Sequence, residues 1–330
     1  MSLSRRDKIY GLLFGCAYGD AMGMPSEMMC RKILDETFPD GIHTLLPSSK
    51  NDFFKRKFKA GEVTDDTINT LLVCDSIIEE GQFDTELYLH KLIRWADENP
   101  EKNASQIGPS TSKALDLLRA GKSYVESGKY GTTNGSAMKV SPLGILHDYH
   151  DIEGLVDDVC KLCLPTHNTS IAIAGASVVA TLSSYALRHE YDEEEIWTLT
   201  KRVIEEGMKH GNQLPSPSLL KRLDLVQQDI MTLSEKKVLE KLETVYGVGF
   251  ETIETIPAVL TMIVLSKGNP MKSAWLSANI AGDSDTIGSI STAICGAFHP
   301  EFNSLDMKLI EEVNGINFKA YVDGLEKAFK

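Results

Sequence analysis

The sequence lacks an excess of positive charge. Its 330 residues include 34 lysines and arginines against 47 aspartates and glutamates, which gives a formal net charge of −13. This balance leaves no basic footprint of the kind that nucleic-acid-binding and anionic-membrane-binding proteins carry. We therefore predict that neither nucleic acid nor membrane is a partner. An anionic ligand would need local help from a metal ion, a lysine or the N-terminus of a helix.

A disulfide or zinc framework is also missing. The six cysteines are scattered along the chain, mostly beside apolar residues, at Cys16, Cys30, Cys74, Cys160, Cys163 and Cys295. Cys160 and Cys163 have the spacing of a zinc or redox pair, but no second pair completes four ligands, so core positions are favoured. Reduced core cysteines predict a cytoplasmic protein.

Signal sequences and long uncharged runs are not evident either. The charged residues Arg5, Arg6, Asp7 and Lys8 lead directly into a glycine-spaced helix, which is not the pattern of a signal peptide. One uncharged stretch, 171–187, approaches the length of a membrane span. Its many serine, alanine and threonine residues favour a buried helix instead.

No stretch shows the alternation of polar and apolar residues that is typical of a β-strand. Apolar residues instead recur at helical spacing behind residues that favour helix starts. The predicted N-cap residues include Thr64, Asp84, Ser110, Asp151 and Asp192. Short loops join the helices and no linker divides the chain. We predict a single all-α domain over residues 1–330, in which the charged region 190–245 is a peripheral helical insertion.

The helix predicted over residues 8–24 carries a glycine at every fourth position, Gly11, Gly15, Gly19 and Gly23. Each glycine costs about 1 kcal/mol of helix stability relative to alanine. We therefore expect another helix or a ligand to approach this face very closely. The helix runs into Pro25 and Ser26, so that Glu27 follows at a break, where a solvated loop glutamate is the ordinary interpretation.

Two clusters of oxygen-bearing side chains each stand at the start of an apolar helix, with a glycine close before them. They consist of Thr64, Asp65, Asp66 and Thr67 in one case, and of Asp283, Ser284, Asp285 and Thr286 in the other. Capping needs one such side chain, whereas two carboxylates ~4 Å apart repel by about 1 kcal/mol in water and about 4 kcal/mol at an effective dielectric of 20. If the two helix starts face each other, four carboxylates and several hydroxyls converge. Such a hard-oxygen site suits Mg²⁺ or Mn²⁺, and two ions would form a hydrolytic centre.

Two loops are candidates for ligand contacts. Residues 132–139 combine small residues, which expose backbone amides, with Lys139, and this is the composition of an anion cradle. A plain turn is the ordinary alternative. His167 lies between two helices, where it is either structural or a contact for a sugar hydroxyl or an adenine edge.

The segment 28–60 is mixed and partly basic. Phe53, Phe54 and Phe58 alternate there with lysines and an arginine. The segment is either a mobile lid over the first acidic cluster or an ordinary surface loop. No aromatic residue in the sequence identifies itself as a stacking partner for adenine.

In combination and in this order, these motifs resemble the ADP-ribosylglycohydrolase family, which includes the dinitrogenase reductase-activating glycohydrolase and the ADP-ribosyl-acceptor hydrolases. The resemblance runs from about residue 8 to residue 300 and is weakest over 190–245. The matching segments are 19–27, 64–67, 134–139, 166–168 and 282–287. The resemblance implies an all-α orthogonal multi-helix bundle with two Mg²⁺ ions, or Mn²⁺, in a binuclear metal cleft.

The resemblance also implies roles for individual residues. The metal ligands are expected to be Thr64, Asp65, Asp66, Asp283, Asp285 and Thr286. Asp285 would bridge the two ions, and Glu27 would lie near them. The candidates for the group that accepts a proton from water are Glu27, Asp66 and Asp283. The residues expected to hold the ribose and diphosphate are Asn134, Gly135, Ser136, Ala137, Met138 and Lys139. His167 would line the nucleotide cleft.

Two positions depart from the family pattern. Ser284 stands where many relatives have threonine, which keeps the hydroxyl. Lys139 stands where arginine is frequent, so a phosphate contact would be single rather than bidentate.

The predicted reaction is hydrolysis of the bond between C1 of a terminal ribose and its leaving group, with a divalent metal ion as cofactor. The expected partner is an ADP-ribosylated protein or an ADP-ribose-type small molecule. Two alternatives stay open. One is a metal-dependent hydrolase of small nucleosides or other ribosides, and the other is a non-catalytic binding or structural protein that keeps the fold.

Overall fold

A computed structural model of the protein describes residues 3–329, apart from the side chain of Ala104. Within this part the chain is helical, and three isolated backbone bridges are its only β-type pairings. The α-helices are α1 (Arg5–Gly23), α2 (Arg31–Thr37), α3 (Asp65–Glu80), α4 (Thr85–Glu98), α5 (Pro100–Ala104), α6 (Pro109–Arg119), α7 (Tyr124–Ser127), α8 (Leu143–Leu146), α9 (Ile152–Cys163), α10 (Ser170–Arg188), α11 (Glu193–Gly207), α12 (Leu219–Thr232), α13 (Glu235–Lys241), α14 (Thr252–Ser266), α15 (Pro270–Ala278), α16 (Ser284–Phe298), α17 (Ser304–Asn314) and α18 (Phe318–Leu325). The prediction of an all-α fold is confirmed.

Most predicted helix starts are confirmed by their capping bonds. The side chains of Thr64, Asp84, Asp151 and Asp192 each accept a hydrogen bond from a backbone amide in the first turn of the helix that follows. The prediction of Ser110 as an N-cap was wrong. Helix α6 begins at Pro109, two residues before the expected start at residue 111, and the fixed backbone angle of proline suits the first helical position.

The glycine-spaced face of α1 packs against α16, and the two helices run antiparallel. A Cβ atom added at Gly11 or Gly19 would lie 2.0 Å from the carbonyl oxygen of Gly296 or Gly288. Atoms at such a separation would overlap, so only glycine permits this approach. The predicted close approach of another helix is confirmed. Because the helices are antiparallel, the end of α1 lies beside the start of α16.

Helix α10 contains the uncharged stretch 171–187, which approaches the length of a membrane span. It has the length and hydropathy of a membrane span, but the apolar window is wholly buried inside the described protein. It packs against α1, α14 and α16, which confirms the prediction of a buried helix. Most cysteines are also buried, but the prediction of core positions was wrong for Cys30, which is exposed at the start of α2.

The charged region 190–245 forms helices α11, α12 and α13. Helix α11 packs on α10 and α12 packs on α14, each through an apolar stripe with a polar outer face. The interpretation of this region as an insertion stays a prediction.

Candidate functional site

The site forms where three chain segments meet: the end of α1, the start of α3 and the start of α16. The antiparallel contact of α1 with α16 brings two of them together. The backbone then ties them directly, because the amide of Met28 donates to the carbonyl of Gly282 (2.6 Å) and the amide of Gly282 donates to the carbonyl of Met29 (2.9 Å). Gly282 has φ +93°, and a Cβ there would lie 2.3 Å from the Val248 carbonyl oxygen, so this position requires glycine.

Asp20 of α1 holds the start of α3 in place. Its carboxylate accepts hydrogen bonds from the amides of Thr64 (3.0 Å) and Thr67 (3.1 Å) and from the Thr67 hydroxyl (2.5 Å). Asp20 is fully buried, and burial raises its pKa to about 6 although these bonds lower it. The capping of α3 is therefore shared between Thr64 and a residue of another helix.

The predicted acidic residues converge. One carboxylate oxygen from each of Glu27, Asp283 and Asp285 lies within 4.8 Å of the others. Thr286 donates from its hydroxyl to Oδ2 of Asp66 (3.2 Å), which joins the start of α16 to the start of α3. Thr64 donates to the same oxygen (3.3 Å). The two acidic helix starts, far apart in sequence, therefore form one cluster.

The buried negative charge of the cluster favours a bound cation. Burial, followed by repulsion from neighbouring carboxylates, raises the pKa of Asp65, Asp66 and Asp285 well above the usual value. Burial and Glu27 raise the pKa of Asp283 to about 7. Oδ1 of Asp66 is buried and has no hydrogen-bond partner among the described residues. Buried carboxylates with an unused oxygen fit a hard divalent ion such as Mg²⁺ or Mn²⁺.

Glu27 is not the solvated loop residue that its position after a helix break suggested. Its side chain is only 11% exposed, and Oε2 accepts a hydrogen bond from Nη1 of Arg56 at 2.5 Å. Arg56 is buried and also pairs with Asp52 (2.8 Å). The guanidinium lies 5.0 Å from the Phe54 ring centroid and 5.4 Å from that of Phe58. Burial disfavours its charge, but Glu27 and Asp52 raise the pKa of Arg56 overall.

A cavity of about 230 Å³ opens over the cluster. Its lining residues are Glu27, Met28, Phe53, Phe54, Asp65, Asp66, Gln106, Ile107, Gly108, Pro109, Thr111, Thr133, Asn134, Gly135, Met138, Phe250, Asp283, Asp285 and Thr286. The lining combines the five carboxylates of the cluster with apolar side chains such as those of Phe53 and Phe250. In the segment 28–60, Phe53 and Phe54 form part of the wall, so this segment borders the site rather than lying on a remote surface.

The loop expected to hold a ribose and diphosphate lies only partly at the cavity. Asn134, Gly135 and Met138 line it, and Nδ2 of Asn134 donates to Oδ2 of Asp283 at 2.5 Å. Ser136 and Ala137 are buried behind the cavity wall. Asn134 therefore connects this loop to the acidic cluster.

Lys139 and His167 lie behind the site rather than in it. The Lys139 ammonium is fully buried, 5.2 Å from the Tyr88 ring centroid and 3.5 Å from the Thr166 hydroxyl, and burial lowers its pKa to about 8. His167 is also fully buried and bonds the hydroxyls of Thr166 (2.7 Å) and Thr133 (3.0 Å). Neither residue is among those that line the cavity, and both side chains support the loop from behind. Their contacts with a ribose, diphosphate or nucleotide stay a prediction.

Sequence reasoning assigned no site role to several residues. Asp20 could have been found as a charged residue on the apolar, glycine-rich helix. Asp52 and Arg56 stand four residues apart, but this spacing favours an ion pair only on a helix, and the segment forms turns instead. Nothing in the sequence marks Phe250 or Gln106, because each reaches the cavity from a distant segment.

Known proteins resemble the chain over most of its length. The family model for ADP-ribosylglycohydrolase matches residues 1–328. The protein YegU of Escherichia coli is 35% identical over 332 residues, covering 98% of this chain and 97% of its own. ADP-ribosylarginine hydrolase Tri1 of Pseudomonas putida is 25% identical over 300 residues, covering 89% of this chain and 71% of its own. A solved structure titled ADP-ribosylglycohydrolase-related protein complex shares the fold, with a TM-score of 0.71, 22% identity and 97% coverage of both chains.

Proposed function

The chain belongs to the ADP-ribosylglycohydrolase family, and from that premise we propose that it hydrolyses the bond at C1 of a terminal ribose and releases ADP-ribose from a modified protein side chain or small molecule. The observation that carries the proposal is the convergence of two acidic helix starts and Glu27 on one cavity. Hydrolysis also suits the family, whose named members include hydrolases of ADP-ribosylated arginine.

The proposed cofactor is a pair of Mg²⁺ ions, with Mn²⁺ as a substitute. The residues that would hold them are Thr64, Asp65, Asp66, Asp283, Asp285 and Thr286. When bound, such ions supply Lewis acidity and lower the pKa of a bound water. They would also offset the buried negative charge that raises the pKa values of these aspartates.

The protein side chains have separate tasks in this proposal. Glu27, Asp66 and Asp283 are the candidates to accept the proton of the attacking water, because each lies in the cluster and lines the cavity. Asn134 holds Asp283 by its amide, which leaves the orientation of that carboxylate fixed. Phe53, Phe54 and Phe250 supply apolar lining to the same cavity.

A second candidate function follows from the charge and size of the cavity. Among the described residues no lysine, arginine or histidine lines it, and its volume is about 230 Å³. Sites for drug-sized ligands usually measure about 300–1,000 Å³. A small uncharged riboside, such as a nucleoside, would fit the cavity without requiring a binding site for phosphate.

One assay separates the two functions. Purified protein with MgCl₂ is incubated with arginine-linked and serine-linked ADP-ribosyl peptides and with a panel of free nucleosides, and released ADP-ribose or ribose is measured by liquid chromatography. We expect ADP-ribose release that stops when the metal is chelated. Release of ribose from nucleosides alone would favour the second function.

Matched variants test the site itself. Asp285→Asn should lower turnover by about 100-fold or more, because a carboxylate in the centre of the cluster is lost. Asp97→Asn is the control, since Asp97 lies on the surface beside Arg119. Full activity in the Asp285 variant would refute the assignment of the site.

A further inference from the structure

Three consecutive backbone amides hold the loop 281–283, which leads into α16. The first donates to Oε1 of Glu243 (3.1 Å), the second to the carbonyl of Met29 (2.9 Å) and the third to the carbonyl of Val248 (2.7 Å). Of these three acceptors, only Glu243 is a side chain and only Glu243 is charged. It is therefore the one acceptor of the loop that a substitution can remove.

Glu243 belongs to one turn of π-helix, Leu242–Tyr246, at the end of the charged region 190–245. Turns of this kind are rare and are frequent at functional sites. Val248 follows the turn by two residues. A single short segment of the chain, through Glu243 and Val248, thus holds the loop on both sides of Gly282.

Arg31 fixes the direction of the Glu243 carboxylate. Its Nε donates to Oε2 (3.1 Å), and its Nη2 donates to Oε1, the oxygen that also accepts the loop amide. Nη2 donates in addition to the carbonyl of Asn279 (2.9 Å), just before the loop. The Glu243 side chain is only 12% exposed. A carboxylate that is held by both prongs of a guanidinium has a defined geometry.

The loop sets the place of the Asp283 carboxylate. One of its oxygens lies within 4.8 Å of an oxygen of Glu27 and of Asp285, and Oδ2 accepts the amide of Asn134 (2.5 Å). A shift of the loop would move this carboxylate relative to its neighbours on α1 and α16. Groups that bond to a metal ligand or to its backbone fix its orientation, and their loss weakens metal binding.

We propose that Glu243 is a positioning residue for the metal centre, which holds the amide of Ala281 and thereby fixes the Asp283 carboxylate in the acidic cluster. The role rests on the proposed function, in which Asp283 binds a divalent ion. No described residue of the region 190–245 lines the cavity. The bond from Glu243 therefore gives this region an indirect effect on the site.

The test compares three substitutions of Glu243. Alanine removes the acceptor of the Ala281 amide, aspartate keeps the charge but is one methylene shorter, and glutamine keeps an acceptor oxygen without the charge. Mg²⁺ binding to the metal-free proteins is measured by calorimetry without substrate. Glu243→Ala and Glu243→Asp should weaken it by about 10-fold or more. Glu243→Gln should stay within about threefold of wild type, because an ion pair with a half-exposed arginine contributes little.

Two further measurements connect the change to the loop. Amide hydrogen exchange of the peptide that covers 279–283, followed by mass spectrometry in the metal-free protein, should be faster in Glu243→Ala and near wild type in Glu243→Gln. With an arginine-linked ADP-ribosyl peptide, kcat of Glu243→Ala should fall about fivefold at the wild-type Kd for Mg²⁺ and recover at saturating Mg²⁺, by mass action. KM for the peptide should not change, since Glu243 does not line the cavity.

Two controls separate positioning from a general loss of stability. Glu240→Gln neutralises an exposed carboxylate three residues before Glu243 and should bind Mg²⁺ as the wild type does. Gly11→Ala strains the contact of α1 with α16 far from the loop, and it should melt at a lower temperature with unchanged Mg²⁺ affinity.

Three results would overturn the inference. Unchanged Mg²⁺ affinity or unchanged exchange of 279–283 in Glu243→Ala would show that the bond to Ala281 does not set the loop. An equal loss in Glu243→Gln would assign the effect to charge, and an equal loss in Gly11→Ala would assign it to stability. Wild-type protein that binds Mg²⁺ but releases no ADP-ribose would contradict the proposed hydrolysis alone, because Mg²⁺ binding is measured without substrate.

Discussion

Replacing Gly19 by alanine tests the packing on which the site depends. The added Cβ would lie 2.0 Å from the carbonyl oxygen of Gly288 and 2.4 Å from its carbonyl carbon, and both are backbone atoms that cannot rotate away. Ordinary contact begins at about 3.5 Å, so α1 and α16 would have to move apart by roughly 1.5 Å.

The expected cost follows from two opposing effects. Overpacking of a rigid contact costs about 1–3 kcal/mol, and the absence of any flexible neighbour places this contact at the upper end. Alanine returns about 1 kcal/mol through its higher helix propensity. The net loss of about 2 kcal/mol should lower the melting temperature by about 3 °C in a protein of this size.

The position of the contact predicts a second effect. Gly11→Ala creates the same 2.0 Å overlap with Gly296, but it lies eight residues away, about 12 Å along α1. Both variants should lose similar stability in urea or thermal unfolding. Only Gly19→Ala should also weaken divalent-metal binding in calorimetry, by about 10-fold or more, because it separates the end of α1 from the start of α16.

Gly108→Ala serves as a control for stability. A Cβ there would meet no atom within 4 Å, so unfolding should change by less than about 1 kcal/mol. The reasoning fails if Gly19→Ala melts as the wild type does while its crystal structure retains the wild-type separation of the two helices.

Three further predictions follow from buried charges. Asp20→Ala leaves the amides of Thr64 and Thr67 and one hydroxyl without their acceptor, so the free energy of unfolding in urea should fall by about 3 kcal/mol or more; a loss below 1 kcal/mol would contradict the role of Asp20 in holding α3. Burial lowers the pKa of Lys139 from 10.5 to about 8, so the unfolded state binds more protons between these values, and stability relative to Lys139→Met should rise by roughly 3 kcal/mol from pH 8 to pH 10.5; a flat difference across this range would refute the burial argument. Asp66→Asn removes one of several repelling buried carboxylates, so the metal-free variant should melt higher than the metal-free wild type, whereas Mg²⁺ should raise its melting temperature less; an unchanged Mg²⁺-dependent shift would exclude Asp66 as a ligand.

Much of the fold could be predicted from local patterns. Helix starts at Asp84, Asp151 and Asp192 were predictable because a cap bonds amides within three residues of itself. The glycine spacing of α1 predicted a close neighbour, but it could not name α16. The neighbouring helix must itself carry small residues at the contact, as α16 does with Gly288 and Gly296. Only the folding of the whole chain brings these two helices together.

The site was predictable to the extent that its residues stand in short motifs. The two acidic helix starts were identified from their own neighbourhoods, whereas Glu27 was expected near them only through the family resemblance, and the structure brings all of them to one cavity. Lys139 was expected at a phosphate because small residues precede it, but its side chain points to Tyr88 in the interior. The direction of a side chain leaving a loop depends on the packing behind the loop, which no local motif describes.

The sequence by itself determined the helical class, the position of the acidic helix starts and the need for glycine along α1, because each follows from interactions within a few residues. Only the tertiary structure decided that Asp20 caps α3, that Arg56 holds Glu27 and that Phe250 lines the cavity. These contacts join segments that are distant along the chain, and their formation depends on how α1, α3 and α16 pack together.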